Sequence, residues 1–241
     1  MPTELGHIEA IFRYPVKSMR GEQLESAQLG WHGLDGDRRF ALRRMNDQGG
    51  FPYLTASKFP GLVLFTPHNQ NGNEQELPTH VRTPDGKDFP IFVPDLAAEI
   101  DRRHGAPVEM MQFKNGIFDD ACISVIASDT IHEIGRLAGR NLDIRRFRPN
   151  IVVRLHESGA FKEDSWLGGT LSFGDSSDAP AISVTMRDVR CSMVNLDPDT
   201  AAPAPEILKT IVRVNDNNAG IYATVTRTGR LSVGQKIFLK R

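Results

Sequence analysis

The 241-residue chain carries 29 lysines and arginines against 30 aspartates and glutamates, a net charge of -1. That balance excludes a global attraction to nucleic acid or an anionic membrane, so any anion site has to be local. With 39% hydrophobic residues and two cysteines, Cys122 and Cys191, the chain reads as an ordinary globular protein. It cannot supply a four-thiolate zinc site or an iron–sulfur cluster by itself.

Short segments alternating apolar and polar residues predict strands over 8–14, 23–29, 38–45, 62–66, 80–83 and 88–93. Turn-forming residues separate them, notably at 46–50 and 84–87. A short helix is predicted over 95–104 and a strand over 108–113. The spacing of Ile131, Ile134 and Leu137 predicts a helix over 128–137, with Ser128 as its N-cap and Gly139 at its stop. Strands follow over 150–155, 169–173, 182–187, 220–227 and 236–239, with one more helix over 205–212. The expected fold is mainly β with a few helices, in two linked β-barrel-like halves joined near 113–120.

Apolar runs such as 62–65 are far too short to span a bilayer, and the opening residues, with no basic stretch followed by an apolar run, predict no secretory leader. With so few thiols, the expected location is the cytoplasm. Phosphate-loop, dinucleotide-binding, zinc-protease and nucleophile-elbow signatures are absent.

Three groupings carry chemistry. In Tyr14-Pro15-Val16-Lys17-Ser18, proline ends a strand and puts Lys17 and Ser18 on the turn, where charge and hydroxyl can grip a phosphate. The plain alternative is a solvated turn lysine. Arg145, Arg146 and Arg148, followed by Pro149-Asn150, make either a local anion trap or an exposed basic loop. In Asp188-Val189-Arg190-Cys191, the neighbouring cation would favour a thiolate, a soft metal ligand or sulfur carrier; the alternative is a small buried hydrophobe. Asp197-Pro198-Asp199 reads as a turn, and Cys122 as core.

Together these pieces resemble the MOSC family, closest to its amidoxime-reducing branch. The resemblance rests on YPVKSMRG at 14–21, GLDGDRRFAL at 33–42, FRPNIVV at 147–153, RCSMVNLDPDT at 190–200 and GRLSVGQKIFL at 229–239. It implies an N-terminal MOSC β-barrel domain over 1–115 and a β-barrel MOSC domain over 116–241. It also implies a molybdenum cofactor, the metal bound to molybdopterin, with Cys191 as the metal ligand. Lys17, Ser18, Arg38, Arg148, Asn150 and Arg190 would bind the cofactor, and Asp197 or Asp199 would relay protons. The implied activity is an oxidoreductase reducing N-hydroxylated small molecules. If Cys191 is a ligand, Cys122 alone cannot hold a cluster, so electrons come from a separate ferredoxin, cytochrome or flavoprotein.

Two further functions stay open at this point. One is sulfur transfer in cofactor maturation through a Cys191 persulfide, although the chain has no pyridoxal-phosphate domain. The other is a non-catalytic molybdopterin-binding module. The chain departs from the family pattern at Ser57, Val189 and Ala201, where relatives carry arginine, serine and glycine. The last change is expected to reshape the rim of the site.

Overall fold

The computed structural model describes residues 2–72 and 76–241. Its first half contains β1 (Thr3–Arg13), β2 (Glu22–Leu24), β3 (Ser26–Gly30), β4 (Gly33–Leu34), β5 (Phe40–Arg44), β6 (Thr66–His68), β7 (His80–Arg82) and β8 (Asp88–Pro90). Helix α1 (Pro94–His104) and β9 (Val108–Gln112) complete it. The second half runs β10 (Ile123–Ala127), α2 (Ser128–Ala138), β11 (Ile151–Leu155), β12 (Thr170–Phe173), β13 (Ala181–Val189), α3 (Glu206–Asn215), β14 (Asn218–Arg227), β15 (Gly229–Ser232) and β16 (Lys236–Lys240).

Seven strands close into a barrel in the order β1-β11-β10-β14-β13-β12-β16 and back to β1. Every pairing around it is antiparallel except β10 with β11, which α2 connects as a crossover. Ile8 and Ile11 of β1 both face the interior although they are three residues apart. A register shift between Ile8 and Ala10 against β11 restores the phase, as a β-bulge does. Inside, these isoleucines pack with Val125, Val153, Leu171, Phe173, Ile182 and Ile221. Helices α2 and α3 cover the outside of the barrel, burying Ile131, Ile134, Ile207 and Ile211 against Phe12, Ile126 and Val152. A separate core gathers Phe40, Leu42, Leu54, Phe65, Ile100 and Val108 in the first half.

The mainly β barrel architecture is as the sequence indicates, with local differences. Residues 62–66 do not form one strand. Pro60, which presets φ, opens a 3-10 turn over Pro60–Leu64, and β6 begins only at Thr66. The expected strand over 23–29 breaks at Glu25 into β2, which pairs with β1, and β3, which pairs with β15 and β4. Ser128 does not cap α2: its hydroxyl faces Val153 O at 3.4 Å. The buried Glu163 serves that helix end instead, accepting from Ala127 N at 3.2 Å and from the Thr130 hydroxyl at 2.9 Å. Gly139 does stop the helix, in the left-handed conformation. Strands from the two halves share sheets, since β1 is a barrel stave beside β11 and β15 pairs with β3. No helix of the described residues is long and apolar enough to cross a membrane.

Gly6 lies on β1 where it faces Leu155 of β11 on one side and Ile237 of β16 on the other. A Cβ there would stand 1.9 Å from Arg154 O. Gly6→Ala is therefore expected to destabilise the barrel by about 2–3 kcal/mol, as overpacking does. Urea unfolding measures it, and an unchanged midpoint would show that the strands part freely at this point.

Candidate functional site

At one end of the barrel, β1 finishes, β13 ends at Val189, and β14 begins beside it at Asn218. Pro15 terminates β1 pairing, and the following turn is fastened to the start of β5. Arg38 N donates to Tyr14 O at 2.8 Å, and Lys17 N donates to Phe40 O at 2.8 Å. Ser18, Arg38 and Arg148 each adopt positive φ, at 68°, 48° and 49°. Such backbone is costly for a residue with a Cβ and tends to be kept where side-chain placement matters.

All three line one cavity of about 380 Å³, together with Lys17, Arg190 and Cys191. That volume falls in the range of roughly 300–1,000 Å³ usual for small-ligand sites. A larger hollow of about 810 Å³ at the other barrel end, around Glu4, His156 and Trp166, includes none of the expected site residues.

Lys17 is only 4% exposed; its Nζ lies 2.8 Å from Asp119 Oδ1 and 5.3 Å from the centre of the Phe51 ring. Burial pushes its ammonium below the ordinary lysine range, with Asp119 opposing that shift. Burial pushes the Asp119 carboxyl up, but the charge and hydrogen bond of Lys17, with Arg38 and Arg148, together hold it below the usual value. Arg38 pairs with the buried Asp37 and donates to Arg148 O at 3.3 Å. The Arg148 guanidinium stacks 4.1 Å from the Tyr14 ring centre, and its Nη1 donates to Met19 O at 2.7 Å. Its Nη2 is buried with no hydrogen-bond partner, and burial pushes the guanidinium down to about 10. A buried cation with an idle donor is costly unless an acceptor arrives.

Arg190 lines the cavity but is committed to holding it together. Its guanidinium donates twice to Ala219 O and, at 2.7 Å, to Phe147 O, and pairs with Asp188 at 2.9 Å. The cation expected beside Cys191 is thus turned to main-chain carbonyls and Asp188, not to the thiol. Cys191 itself is exposed, at the head of the 3-10 turn Ser192–Asn195.

Asn150 does not reach the cavity lining. It is 1% exposed, its Oδ1 accepts from Ser124 N at 3.1 Å, and its Nδ2 donates to Phe12 O and Asp37 Oδ2. It ties β10 to the end of β1 and so supports the site from behind. Asp197 and Asp199 are also absent from the lining. Asp197 accepts from Arg146 at 2.7 Å and from the backbone of Asp199 and Thr200. Asp199 is clamped by Arg145 and Arg20, whose hydrogen bonds hold its carboxyl at about 2. It is therefore ionised at neutral pH, and between them the two aspartates bond Arg145, Arg146 and Arg20.

The cavity also contains three groups that no local sequence motif marks, Asp119, Ser124 and Tyr222, beside Asp188 from the motif that ends in Cys191. Asp188 is 1% exposed and accepts from the Ser124 hydroxyl at 2.8 Å, with Tyr222 also bonding it. Burial pushes its carboxyl up, while Arg190 and the two hydroxyls pull it back. These residues come from β10, β13, β14 and the connector after β9, and only barrel closure brings them together.

As a donor set, the cavity suits an anionic ligand with a soft metal. Lys17 and Arg148 supply charge, Arg148 Nη2 lacks an acceptor, and Cys191 offers an accessible sulfur. No group of three or more protein ligands capable of holding a metal ion occurs among the described residues, so a metal here needs donors from its own cofactor.

Residues 101–238 match the MOSC domain, and residues 5–122 match the MOSC N-terminal beta barrel domain. No curated protein matches the sequence. Among solved structures, the chain is similar to the YuaD protein from Bacillus subtilis, with a TM-score of 0.54 and 14% identity. That likeness covers 99% of this chain and 98% of the other, and it concerns the fold. YiiM from Geobacillus stearothermophilus has a TM-score of 0.39 and 19% identity over 50% of this chain and 54% of that one. A hypothetical protein has a TM-score of 0.47 and 11% identity over 100% of this chain and 70% of its own. With domain matches running in sequence order across both halves, and a barrel that joins those halves, the chain belongs to the MOSC domain family, which is associated with binding of the molybdenum cofactor.

Proposed function

We propose that this protein binds the molybdenum cofactor in the cavity and works as an oxidoreductase on N-hydroxylated small molecules. Electrons would be delivered by a separate redox protein of the ferredoxin, cytochrome or flavoprotein type. The observation that carries this reading is the conjunction, on one cavity, of the accessible Cys191 thiol and the partnerless buried N–H of Arg148. When bound, the cofactor supplies two-electron chemistry at its metal, for which Cys191 is the protein's thiolate ligand.

The chain's own residues bind and orient. Arg148 and Lys17, with Ser18 on the same turn, hold the anionic end of the cofactor. Arg38 fixes the Arg148 main chain, and Arg190 ties the segment that carries Cys191 to β14 through Ala219 O. Val189, 59% exposed beside Cys191, offers an apolar contact to a substrate approaching the rim. Both cysteines are free thiols, which suits work in the reducing cytoplasm.

The test is molybdenum and pterin content per chain after expression in a host that makes the cofactor. Wild type is expected to hold about one of each. Cys191→Ala is expected to lose at least about tenfold in molybdenum, since removal of the sole protein thiolate leaves the metal to its cofactor donors. Wild type must then reduce an amidoxime when supplied with reductant. A Cys191 persulfide without bound metal would overturn this reading in favour of sulfur transfer. Cofactor retained by Cys191→Ala, with no turnover in wild type, would favour a non-catalytic carrier.

A further inference from the structure

Charges around the cavity are paired almost one for one. Arg38 faces Asp37, Arg190 faces Asp188, and Arg146 faces Asp197. Lys17 faces Asp119, but this pair differs from the others in its acid. The side chain of Asp119 is 61% exposed, whereas that of Lys17 is 5% exposed. The lysine is fixed, with its backbone bonded to Phe40 O and its ammonium near the Phe51 ring. The aspartate rides on the connector 113–122, which is anchored just upstream by Phe113 N to Arg39 O and Ile117 N to Arg38 O.

We infer that Asp119 is a specificity-determining residue, a tethered carboxylate that occupies Lys17 and screens the cavity against small inorganic anions. The inference rests on the reading of this cavity as an anion site for the cofactor. Without Asp119, Lys17 would face the cavity beside the idle Arg148 Nη2 with no carboxylate in contact with its ammonium, and such a pair of cations collects small anions. A tethered competitor acts at an effective concentration on the order of millimolar or higher. Free phosphate, which gains little besides Lys17 and Arg148, has to displace it at full cost. A larger ligand that also reaches Ser18 and the Cys191 sulfur gains further contacts and displaces it. Discrimination then comes from an internal rival, not from a better fit to the chosen ligand.

The experiment is calorimetric titration of the cofactor-free full chain with inorganic phosphate at low salt. Asp119→Asn is expected to bind phosphate about tenfold more tightly than wild type, the gain from removing a tethered ionic competitor. Asp120→Asn removes the same charge from the adjacent position on the cavity wall and is expected to stay within about twofold of wild type. Adding Lys17→Met to Asp119→Asn should abolish the gain. Asp119→Ala serves as a second variant read in the same way. Unchanged phosphate affinity in both Asp119 variants, or an equal gain in Asp120→Asn, overturns the inference, the latter because it would be a mere charge effect. Failure of the cofactor reading shows separately, as a wild type that never acquires molybdenum.

Discussion

Arg190→Ala is expected to lose about 3–5 kcal/mol of folding stability, the cost of breaking a buried ion pair by removing one partner. Arg190 is 7% exposed and Asp188 is 1% exposed, so neither is rescued by solvent when the other goes. The substitution leaves the Asp188 carboxylate without a cation and the carbonyls of Ala219 and Phe147 without their donor. It also opens space under the Phe147 ring, whose centre lies 5.6 Å from the guanidinium carbon. Denaturant unfolding of the cofactor-free chain measures the loss. Adding Asp188→Asn to Arg190→Ala should restore part of it, by removing the stranded charge while the Ser124 hydroxyl retains an acceptor. A loss below about 1 kcal/mol would mean that the pair's desolvation cost cancels its attraction within the folded protein.

Glu163→Gln is expected to remove a pH dependence of stability worth about 3 kcal/mol, since each tenfold change in proton affinity corresponds to about 1.4 kcal/mol. Glu163 is 0% exposed, and burial pushes its carboxyl from 4.5 up to about 7, against hydrogen bonds from Ala127 and Thr130 that favour the charged form. Between those two values the folded protein keeps a proton that the unfolded chain has released. Its stabilising share is complete below pH 4.5 and is lost as the pH rises through 7. The neutral amide cannot ionise, so the wild-type minus variant difference should fall steadily across this window and flatten above it. Other groups titrate alike in both proteins and cancel in that difference. At about pH 8 the variant should be the more stable, by less than the full amount, since its amide nitrogen meets the Thr130 hydroxyl where an acceptor stood. A difference that stays level from about pH 4.5 to 8 would mean that Glu163 is ionised throughout.

Much of this architecture is legible along the chain, because strands with one wet face alternate, and β7 and β12 are of that kind. Strand β10 is not. Ile123-Ser124-Val125-Ile126-Ala127 is buried at every position, since one face lines the barrel interior and the other lies under α2 and α3. A strand covered on both sides loses its period-two signal. The site divides in the same way. Lys17, Arg148 and Cys191 follow directly from local motifs on turns, although the fold buries Lys17 there. Asn150 shares the Arg148 motif, yet the left-handed backbone at Arg148 sends the chain into β11, and Asn150 is drawn under the cavity floor. Asp197 and Asp199 read as acids in a motif, but the arginines that claim them lie some 50 residues upstream or, for Arg20, near the other end of the chain. Asp119 stands in a connector without pattern, and only its distance to Lys17 gives it meaning.

The placement of β1 bears on how the molecule can be made. Both of its barrel neighbours come late: Gly6 pairs with Leu155 on one edge and with Ile237 on the other. A nascent chain leaving the ribosome can therefore pair only the Ile11–Arg13 end of β1 early, with β2, while the rest of the strand waits for β11 on one edge and for β16 on the other. Contacts this distant in sequence make for slow folding, on the order of milliseconds to seconds. Until β16 emerges, Ile8 and Ile11 have no closed interior to enter. The half-made barrel thus leaves apolar strand faces uncovered, and the cavity at its end, whose lining includes Tyr222 of β14, forms late.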